Sequence, residues 1–369
     1  MNRIVRILCA TAVLMVVAGC GKSNKFVING SVDSPELEGK TVYLINMSDT
    51  ESDGSPMDST VIADGRFSFR GTVDEAWEAM IGCPEASFIS FVVVEPGTIV
   101  INNDSIGGTL LNDRMQVFNT SHDFSNIKNA MQEYIPLYYA ATSAKERAEV
   151  EHVLDSLEAL GNARTLEAFW KLYNENSDNL LAVHAMEQIV AVGDFTYSEL
   201  DSIVGAASPM VANNKQVKAK LEQLRSVEAT AVGKHYTDIQ GVDGKLSDII
   251  DGKLALVDFY ASWCGPCRAE IKDNLVPLWK KYQNKGLVIV GLNVWERGNA
   301  EARKAAHEKV MADLGITYPQ LVDSTRTATE TYGVQGIPQI MLIGPDGTIL
   351  ARDLRGTAIE DAIVKALGK

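Results

Sequence analysis

Cysteine and histidine are scarce in this chain of 369 residues, which contains five of each. Outside one Cys-x-x-Cys pair, they are scattered singly along the chain, at Cys9, Cys20, Cys83, His122, His152, His184, His235 and His307. A structural zinc site needs about four such ligands grouped at metal spacing. The sequence therefore argues against a metal centre, and we expect neither a metal nor an organic cofactor.

Basic residues are also in deficit. The 34 lysines and arginines face 48 acidic residues, which gives a formal net charge of −14. Because no basic stripe is clustered anywhere, the chain is a poor candidate for binding nucleic acid. Internal repeats and low-complexity tracts are missing as well. The length suits three compact units, each able to bury its own core.

The N-terminal apolar run is too short to span a bilayer. Residues 7–18 follow Arg3 and Arg6, whereas a spanning helix needs about 20 residues. The run ends in Val17-Ala18-Gly19-Cys20, which resembles a bacterial lipobox and implies cleavage before Cys20 and lipidation of its thiol and new amino group. Several acyl chains on one residue anchor a protein stably. A short membrane anchor and an ordinary secretory signal are the alternatives.

Cleavage before Cys20 would also change the charge. Residues 1–19 contain two arginines and no acids, so the net charge would pass from −14 to −16.

The most informative segment is Trp263-Cys264-Gly265-Pro266-Cys267. Residues 254–260 before it are apolar and β-prone, which predicts a buried strand. Residues 269–282 after it have apolar side chains at helical spacing, and Pro277 is expected to kink this helix without ending it. The two cysteines are thus placed where a strand gives way to a helix.

This placement favours redox chemistry. Unpaired N–H groups and the helix dipole at a helix N-terminus stabilise a thiolate at Cys264. Cys267, one turn later, is close enough to attack a mixed disulfide formed at Cys264. A zinc site and an inert structural disulfide are the alternatives, although so short a loop constrains little of the unfolded chain.

Residues 232–369 resemble the thioredoxin superfamily, which implies an α/β thioredoxin fold. The stretch 257–263 is similar to the thioredoxin strand that leads into the active site. Asp258 matches the buried acid that exchanges a proton with the second cysteine in that family. Burial would raise the pKa of this carboxyl and make it a base for Cys267. A solvent-facing Asp at a strand edge is the alternative.

Gly336-Ile337-Pro338 is the second landmark of the resemblance, which implies a cis Ile337–Pro338 bond opposite the cysteine pair. Proline is the residue for which the cis form costs little, and a trans proline at a strand start is the alternative. The resemblance further implies a substrate-binding role for a set of residues around the pair: Trp263, Gly265, Pro266, Ile337 and Pro338.

Within the superfamily, the chain looks most like the TlpA/ResA-like membrane-tethered thiol-disulfide oxidoreductases. The opening hairpin at 238–248 and an inserted helix at 300–314 carry this likeness. Glu270 matches an acid that tunes the pair in some members; a helix-dipole partner is the other interpretation. Asp258 and the Gly-Pro dipeptide are more similar to thioredoxin itself, which favours a reductant.

A peroxidase is the weakest candidate. Peroxiredoxins share the thioredoxin fold, but they carry a Pro and a Thr or Ser at fixed spacing before the reactive cysteine. Val257 and Ala261 occupy those positions in this chain.

The remainder predicts a multidomain chain. Short strands separated by turn signals fill residues 25–118 and indicate an all-β sandwich or barrel. This part resembles an uncharacterised β-domain that precedes thioredoxin modules in bacterial lipoproteins. Helical periodicity follows and predicts helices at 124–139, 144–160, 163–173, 180–192, 197–206 and 214–227. The predicted layout is a signal peptide at 1–19, a lipidated tether at 20–24, a β-domain at 25–118, a helical region at 119–231 and the catalytic domain at 232–369.

These patterns predict an extracytoplasmic, lipid-anchored thiol-disulfide oxidoreductase that reduces protein disulfides. The expected partners are protein disulfide or dithiol substrates, a membrane-bound electron donor and the membrane itself, and the bulk is expected to face the periplasm rather than the cell exterior. The competing hypothesis is a binding or redox-sensing lipoprotein, in which the β and helical parts engage a partner.

Overall fold

The computed structural model describes residues 23–48, 54–86, 88–103, 105–122, 125–242 and 244–368. They form an N-terminal β-rich region, central helices and a C-terminal thioredoxin-like module, so the chain is multidomain as predicted. It divides into two compact units between Glu158 and Ala159, which we call unit 1 and unit 2. The predicted signal peptide, including Cys9, and the lipidation site Cys20 lie outside the described residues.

Unit 1 contains two antiparallel-rich sheets of four strands each. Their orders are β4-β1-β7-β8 and β3-β2-β5-β6, with β1 and β7 paired in parallel. The strands are β1 (Lys25–Ser31), β2 (Thr41–Asn46), β3 (Asp58–Val61), β4 (Arg66–Thr72), β5 (Trp77–Cys83), β6 (Phe88–Val94), β7 (Gly97–Asn102) and β8 (Ser105–Gly107).

The two sheets of unit 1 share one hydrophobic core. Ile28 and Phe69 of the first sheet and Val42 and Ile81 of the second are buried in the same cluster. Along β1, buried residues alternate with exposed or half-buried ones, as expected for strands with one face on the core. Two sheets packed face to face over a common core make unit 1 a β-sandwich.

The central helices begin earlier than predicted. The helices before the thioredoxin-like module are α1 (Leu110–Ser121), α2 (Ser125–Ala140), α3 (Ala144–Glu175), α4 (Leu180–Val192), α5 (Tyr197–Ala206), α6 (Pro209–Ala212) and α7 (Lys215–Ala229). The predicted border at 118/119 therefore falls inside α1. The start of α1 is fixed from the β-sandwich, because the Glu95 carboxylate accepts the Leu111 N–H at 2.6 Å.

A second difference is that α3 is one continuous helix where the periodicity predicted two. Gly161 interrupts the pattern, but a single glycine costs a helix only about 1 kcal/mol. The predicted helical region also does not form a unit of its own, since the boundary between the two compact units falls within α3.

The thioredoxin-like module occupies the C-terminal part of unit 2. Its five-stranded sheet has the order β13-β12-β11-β14-β15. The elements are β9 (Gln240–Gly241), β10 (Gly244–Lys245), α8 (Leu246–Ile250), β11 (Leu254–Tyr260), α9 (Gly265–Glu270), α10 (Val276–Tyr282), β12 (Leu287–Asn293), α11 (Ala300–Leu314), β13 (Gln320–Val322), α12 (Thr327–Thr331), β14 (Gln339–Ile343), β15 (Ile349–Ala351) and α13 (Thr357–Ala366).

Strand β11 is the centre of this sheet, parallel to β12 and antiparallel to β14. All seven of its residues are buried. Its alternate side chains enter two different cores: Leu256 and Tyr260 join the cluster that contains Cys264 and Cys267, whereas Val257 and Phe259 join the cluster on the opposite face. A strand buried on both faces explains the continuous apolar run in the sequence.

Pro277 is accommodated as predicted, by a local change in helical pitch. Helix α9 continues into α10 through a wide π-helical turn at Ile271–Leu275, where the Val276 N–H bonds to the Ile271 carbonyl. Proline lacks an N–H and its ring crowds the carbonyl one turn earlier. A π turn loosens that position, so the helix passes the proline and carries on to Tyr282.

Helix α7 is fixed to the thioredoxin-like module at Gly333. Gln223 donates to the Gly333 carbonyl at 3.1 Å, and Arg352 bonds both Thr230 at the end of α7 and the Tyr332 carbonyl. Gly333 has φ +62°, and a Cβ there would lie 2.5 Å from a methyl group of Val227. The close approach of α7 thus requires glycine at this position.

Substituting Gly333 with Ala should destabilise unit 2 more than the same change at Gly315. Both glycines have positive φ, +62° and +65°, but the space around Gly315 is open. We expect each variant to lose about 1 kcal/mol from backbone strain, and Gly333→Ala to lose a further 1–2 kcal/mol from the clash with α7. Thermal unfolding of the purified variants measures both; equal losses would contradict the packing argument.

Candidate functional site

The two cysteines of the motif lie at the junction of β11 and α9 and are joined by a disulfide bond. Cys264 is the residue that caps α9, and its sulfur accepts the Cys267 N–H at 3.2 Å. Pro266 lies in the first turn of α9, where a missing N–H costs nothing. Cys264 is 5% exposed and Cys267 is fully buried. Of the two residues, only Cys264 keeps any exposure to solvent.

The loop before β14 faces this disulfide. The Ile337–Pro338 bond is cis, which confirms the prediction. The Ile337 carbonyl oxygen lies 3.7 Å from the Cys264 sulfur. The register explains why these segments meet, because Phe259 near the end of β11 pairs with Gln339 at the start of the antiparallel strand β14.

Asp258 lies in the middle of the buried strand β11, 1% exposed. Strand alternation places its side chain between those of Leu256 and Tyr260, on the face whose core includes Cys267. Neither carboxyl oxygen has a hydrogen-bond partner among the described residues. Burial, with a smaller contribution from the negative charge of Glu270, raises the pKa of Asp258 to about 8, while Arg355 acts in the opposite direction. The alternative of a solvent-facing Asp is excluded.

Comparison with known proteins agrees with this geometry. The AhpC/TSA family matches residues 226–352, and a domain of unknown function, DUF4369, matches residues 26–115. Thiol:disulfide interchange protein HelX of Rhodobacter capsulatus is 34% identical over 122 residues, which is 33% of this chain and 62% of HelX. Thiol-disulfide oxidoreductase ResA of Geobacillus kaustophilus is 30% identical over 144 residues, 38% of this chain and 76% of that protein.

The chain belongs to the ResA family of thiol-disulfide oxidoreductases.

Among solved structures, the thiol:disulfide interchange protein DsbE of Chlorobium tepidum is 30% identical. The match covers 37% of this chain and 99% of that protein, with a TM-score of 0.33. The chain spans less than two thirds of the length of HelX. The DUF4369 match lies within the residues 25–118 that the sequence predicts to be a β-domain.

Within this ResA-like module, Glu270 ends α9 and ties two elements together. Its carboxylate accepts hydrogen bonds from the Asn274 side chain at 2.7 Å and from the Gly356 N–H at 3.0 Å. Its negative charge contributes to the raised pKa of Asp258. This position is beyond the first turn of the helix, which favours an influence on Asp258 over a role as a helix-dipole partner.

Arg355 is a site residue that sequence reasoning missed. Its guanidinium donates to the carbonyls of Pro338 and Leu354, and its positive charge lowers the pKa of Asp258, against the larger effect of burial. No spacing in the sequence connects Arg355 to the cysteine motif, because it comes from the loop between β15 and α13.

The loop after β12 fixes Trp263, the tryptophan of the cysteine motif. Sequence reasoning also missed the residues of this loop. Trp263 is 43% exposed, and its indole N–H donates to the Trp295 carbonyl at 2.9 Å. The Arg297 guanidinium stacks over the Trp263 ring, 4.2 Å from its centroid. Glu296 accepts both the N–H and the hydroxyl of Ser262, at 2.6 and 2.7 Å. The sequence offered one indication of their role: residues 295–297 follow β12, the strand that lies parallel to β11.

The structure thus brings together Cys264, Cys267, Ile337 and Pro338 at one edge of the sheet. Gly265 and Pro266 are exposed at the start of α9. Cys83 is buried in the core of the β-sandwich in unit 1. Among the described residues, the disulfide chemistry therefore rests on one pair of sulfurs.

Asp258→Asn should make the stability of the oxidised protein less dependent on pH. Between pH 3.8 and about 8, folded Asp258 keeps a proton that the unfolded chain releases, so the wild type loses stability as the pH rises through this window. Asn removes this effect. We expect the free energy of unfolding of the variant to rise by about 2–5 kcal/mol relative to that of the wild type between pH 3.8 and about 8.

Urea unfolding across this pH range measures the difference. Asp361→Asn, at an exposed position of α13, is the matched control and should leave the pH profile of the wild type unchanged. A constant difference between Asp258→Asn and wild type across the window would show that Asp258 titrates normally.

Proposed function

We propose that this protein is an extracytoplasmic, lipid-anchored oxidoreductase that reduces disulfide bonds in other proteins through Cys264 and Cys267. The observation that carries the proposal is the asymmetry of the pair: an outer sulfur at a helix start and an inner, fully buried one, on the core face that also holds the protonated carboxyl of Asp258. Family membership supports the reaction class.

The reaction begins from the dithiol. The Cys264 thiolate attacks one sulfur of a substrate disulfide, the substrate S–S bond breaks, and the departing substrate thiolate takes up a proton. A mixed disulfide now links Cys264 to the substrate. The buried thiol of Cys267 must lose its proton before it can attack.

Asp258 is the proposed acceptor of that proton. With a pKa of about 8 this carboxyl is mostly protonated at neutral pH, and its ionised fraction is the form that accepts the proton of the Cys267 thiol. The Cys267 thiolate then attacks the Cys264 sulfur, and the second substrate thiolate leaves and is protonated. The substrate gains two electrons and two protons, and the protein ends with the Cys264–Cys267 disulfide seen in the structure.

The pair must then be reduced again. A membrane-bound dithiol donor is the proposed source of the two electrons, because the lipid on Cys20 would hold the module beside the membrane. None of the helices in the described part of the chain combines the length and apolarity needed to cross a bilayer. In this proposal the lipid is the anchor, and the module faces the periplasm.

Serine substitutions at the two cysteines separate the proposed enzyme from a binding or redox-sensing lipoprotein. Cys264→Ser should reduce the turnover of insulin disulfides by at least about 10³-fold, since serine is far less nucleophilic than a thiolate. Cys267→Ser should accumulate substrate as a mixed disulfide on Cys264, which non-reducing electrophoresis and mass spectrometry detect. Cys83→Ser, in unit 1, is the control and should retain turnover.

Full turnover by Cys264→Ser would leave the binding hypothesis standing. Failure of Cys267→Ser to trap any substrate would reject the two-step exchange, whatever the turnover of the wild type.

The lipid anchor is tested by Cys20→Ser. If the thiol of Cys20 carries the lipid, this variant should lose incorporation of labelled fatty acid when it is produced in a bacterium that processes lipoproteins. Cys9→Ser, in the same N-terminal segment, is the matched control and should be labelled like the wild type. Undiminished labelling of Cys20→Ser would exclude Cys20 as the attachment site.

A further inference from the structure

A groove in unit 2 lies between helix α7 and the segment that leads into the Ile337–Pro338 bond. Its volume is about 640 Å³. Ala219, Glu222 and Gln223 of α7 line one side, and Trp295 and Gln335 line the other. Since α7 precedes the thioredoxin-like module, the groove combines two parts of unit 2 and extends beyond the disulfide site.

Two of the groove's module residues, Trp295 and Gln335, connect it to the disulfide site. The Trp295 carbonyl accepts the indole N–H of Trp263, the residue next to Cys264. Gln335 is two positions before Ile337, whose carbonyl oxygen lies 3.7 Å from the Cys264 sulfur. The groove is thus linked to the disulfide site by one hydrogen bond and by one short stretch of chain.

The groove is also pre-formed. The hydrogen bond from Gln223 to the Gly333 carbonyl and the contact of Val227 with Gly333 set the distance between α7 and the module. Arg352 fixes the end of α7 through Thr230. A rigid groove avoids much of the ordering cost that a flexible one incurs on binding.

The chemistry of the lining suits a polypeptide. Glu222 is paired with Arg225 at 3.1 Å, and Arg326 and Glu330 add one charge of each sign. This balance does not favour a phosphate or another anion. The side-chain oxygen of Gln223 is buried and finds no donor among the described residues. An unsatisfied buried acceptor is costly, and a peptide N–H has the right chemistry to satisfy it.

We propose that this groove binds, as an extended chain, the stretch of a substrate protein that flanks the cysteine attacked by Cys264. The inference rests on the proposed function and names its substrate class: proteins whose disulfide lies in an accessible, extended segment, in preference to small disulfides. Backbone hydrogen bonds and contact with the Trp295 ring supply affinity without demanding one flanking sequence.

Filling the groove tests the proposal. Ala219→Trp places a large ring on the α7 side, where Ala219 is exposed. Ala229→Trp is the matched control, because it makes the same change at another exposed position of α7 that does not line the groove. Glu330→Trp narrows the groove from the module side and serves if Ala219→Trp fails to fold. Circular dichroism establishes folding for each variant.

Each pre-reduced variant is mixed with insulin or with hydroxyethyl disulfide. The reaction is stopped by alkylating free thiols, and mass spectrometry then gives the fraction of each variant whose Cys264–Cys267 pair has become oxidised. We expect Ala219→Trp to lower the rate constant with insulin by about tenfold or more, while the rate constant with hydroxyethyl disulfide stays within about twofold. The Ala229→Trp control should match the wild type with both.

Three outcomes overturn the inference. Unchanged reduction of insulin by folded Ala219→Trp and Glu330→Trp shows that the groove is not used. Equal losses with both disulfides show that the substitutions damage the cysteine pair instead of a substrate site. If the wild type reduces neither disulfide, the proposed function fails first and takes this inference with it, a result distinguishable because it does not depend on the groove variants.

Discussion

The burial of one carboxyl group constrains the rest of the site. Both oxygens of Asp258 are buried and find no hydrogen-bond partner in the described part of the chain, so the ionised form is strongly disfavoured and the proton is retained to about pH 8. An arrangement that opposes stability in this way persists when the surrounding structure is well packed, and it is typical of functional sites. Leu256 and Tyr260, which flank Asp258 on the same face of the strand, belong to the core cluster that contains Cys264 and Cys267.

The central position of β11 explains how distant segments converge on this carboxyl. Tyr260 at its end pairs with Asn293 of β12, and Phe259 pairs with Gln339 of β14. The chain after β11, the chain after β12 and the chain before β14 therefore meet at one sheet edge. The first supplies Trp263 and Cys264, the second Trp295 to Arg297, and the third Ile337 and Pro338. Hydrogen bonds between the loops, such as those that Ser262 donates to Glu296, hold the loops in position relative to one another.

The charges around Asp258 act in opposite directions. Glu270 resists its ionisation and Arg355 favours it, and both are held by backbone contacts, to Gly356 and to Pro338 respectively. The proton affinity of Asp258 thus depends on the loop before α13 as well as on helix α9.

Unit 2 is larger than the thioredoxin-like module alone, because Gln223 and Arg352 bind α7 to the module.

Local patterns in the sequence determined much of this protein. The largely apolar run of β11 and the helical spacing after the cysteines each report on a neighbourhood of a few residues, and the predicted strand and helix follow from them. The cis Ile337–Pro338 bond was implied by the resemblance to thioredoxins. The turn signals in residues 25–118 predicted short strands for the same reason. The prediction of a break at Gly161 was wrong, because the small free-energy cost of one glycine in helix α3 is outweighed by the turns on either side.

Tertiary structure alone decided which distant residues join the site. Arg355, Glu296 and Trp295 show no periodicity or spacing relative to Cys264, because strand pairing and loop packing bring them there from positions 31 to 91 residues away along the chain. The start of α1 is fixed by Glu95, which lies in the turn between β6 and β7, and the position of α7 is fixed by a glycine more than a hundred residues later. Sequence reveals the chemistry of a segment through its own residues, whereas burial, charge and neighbours depend on contacts that only the folded chain makes.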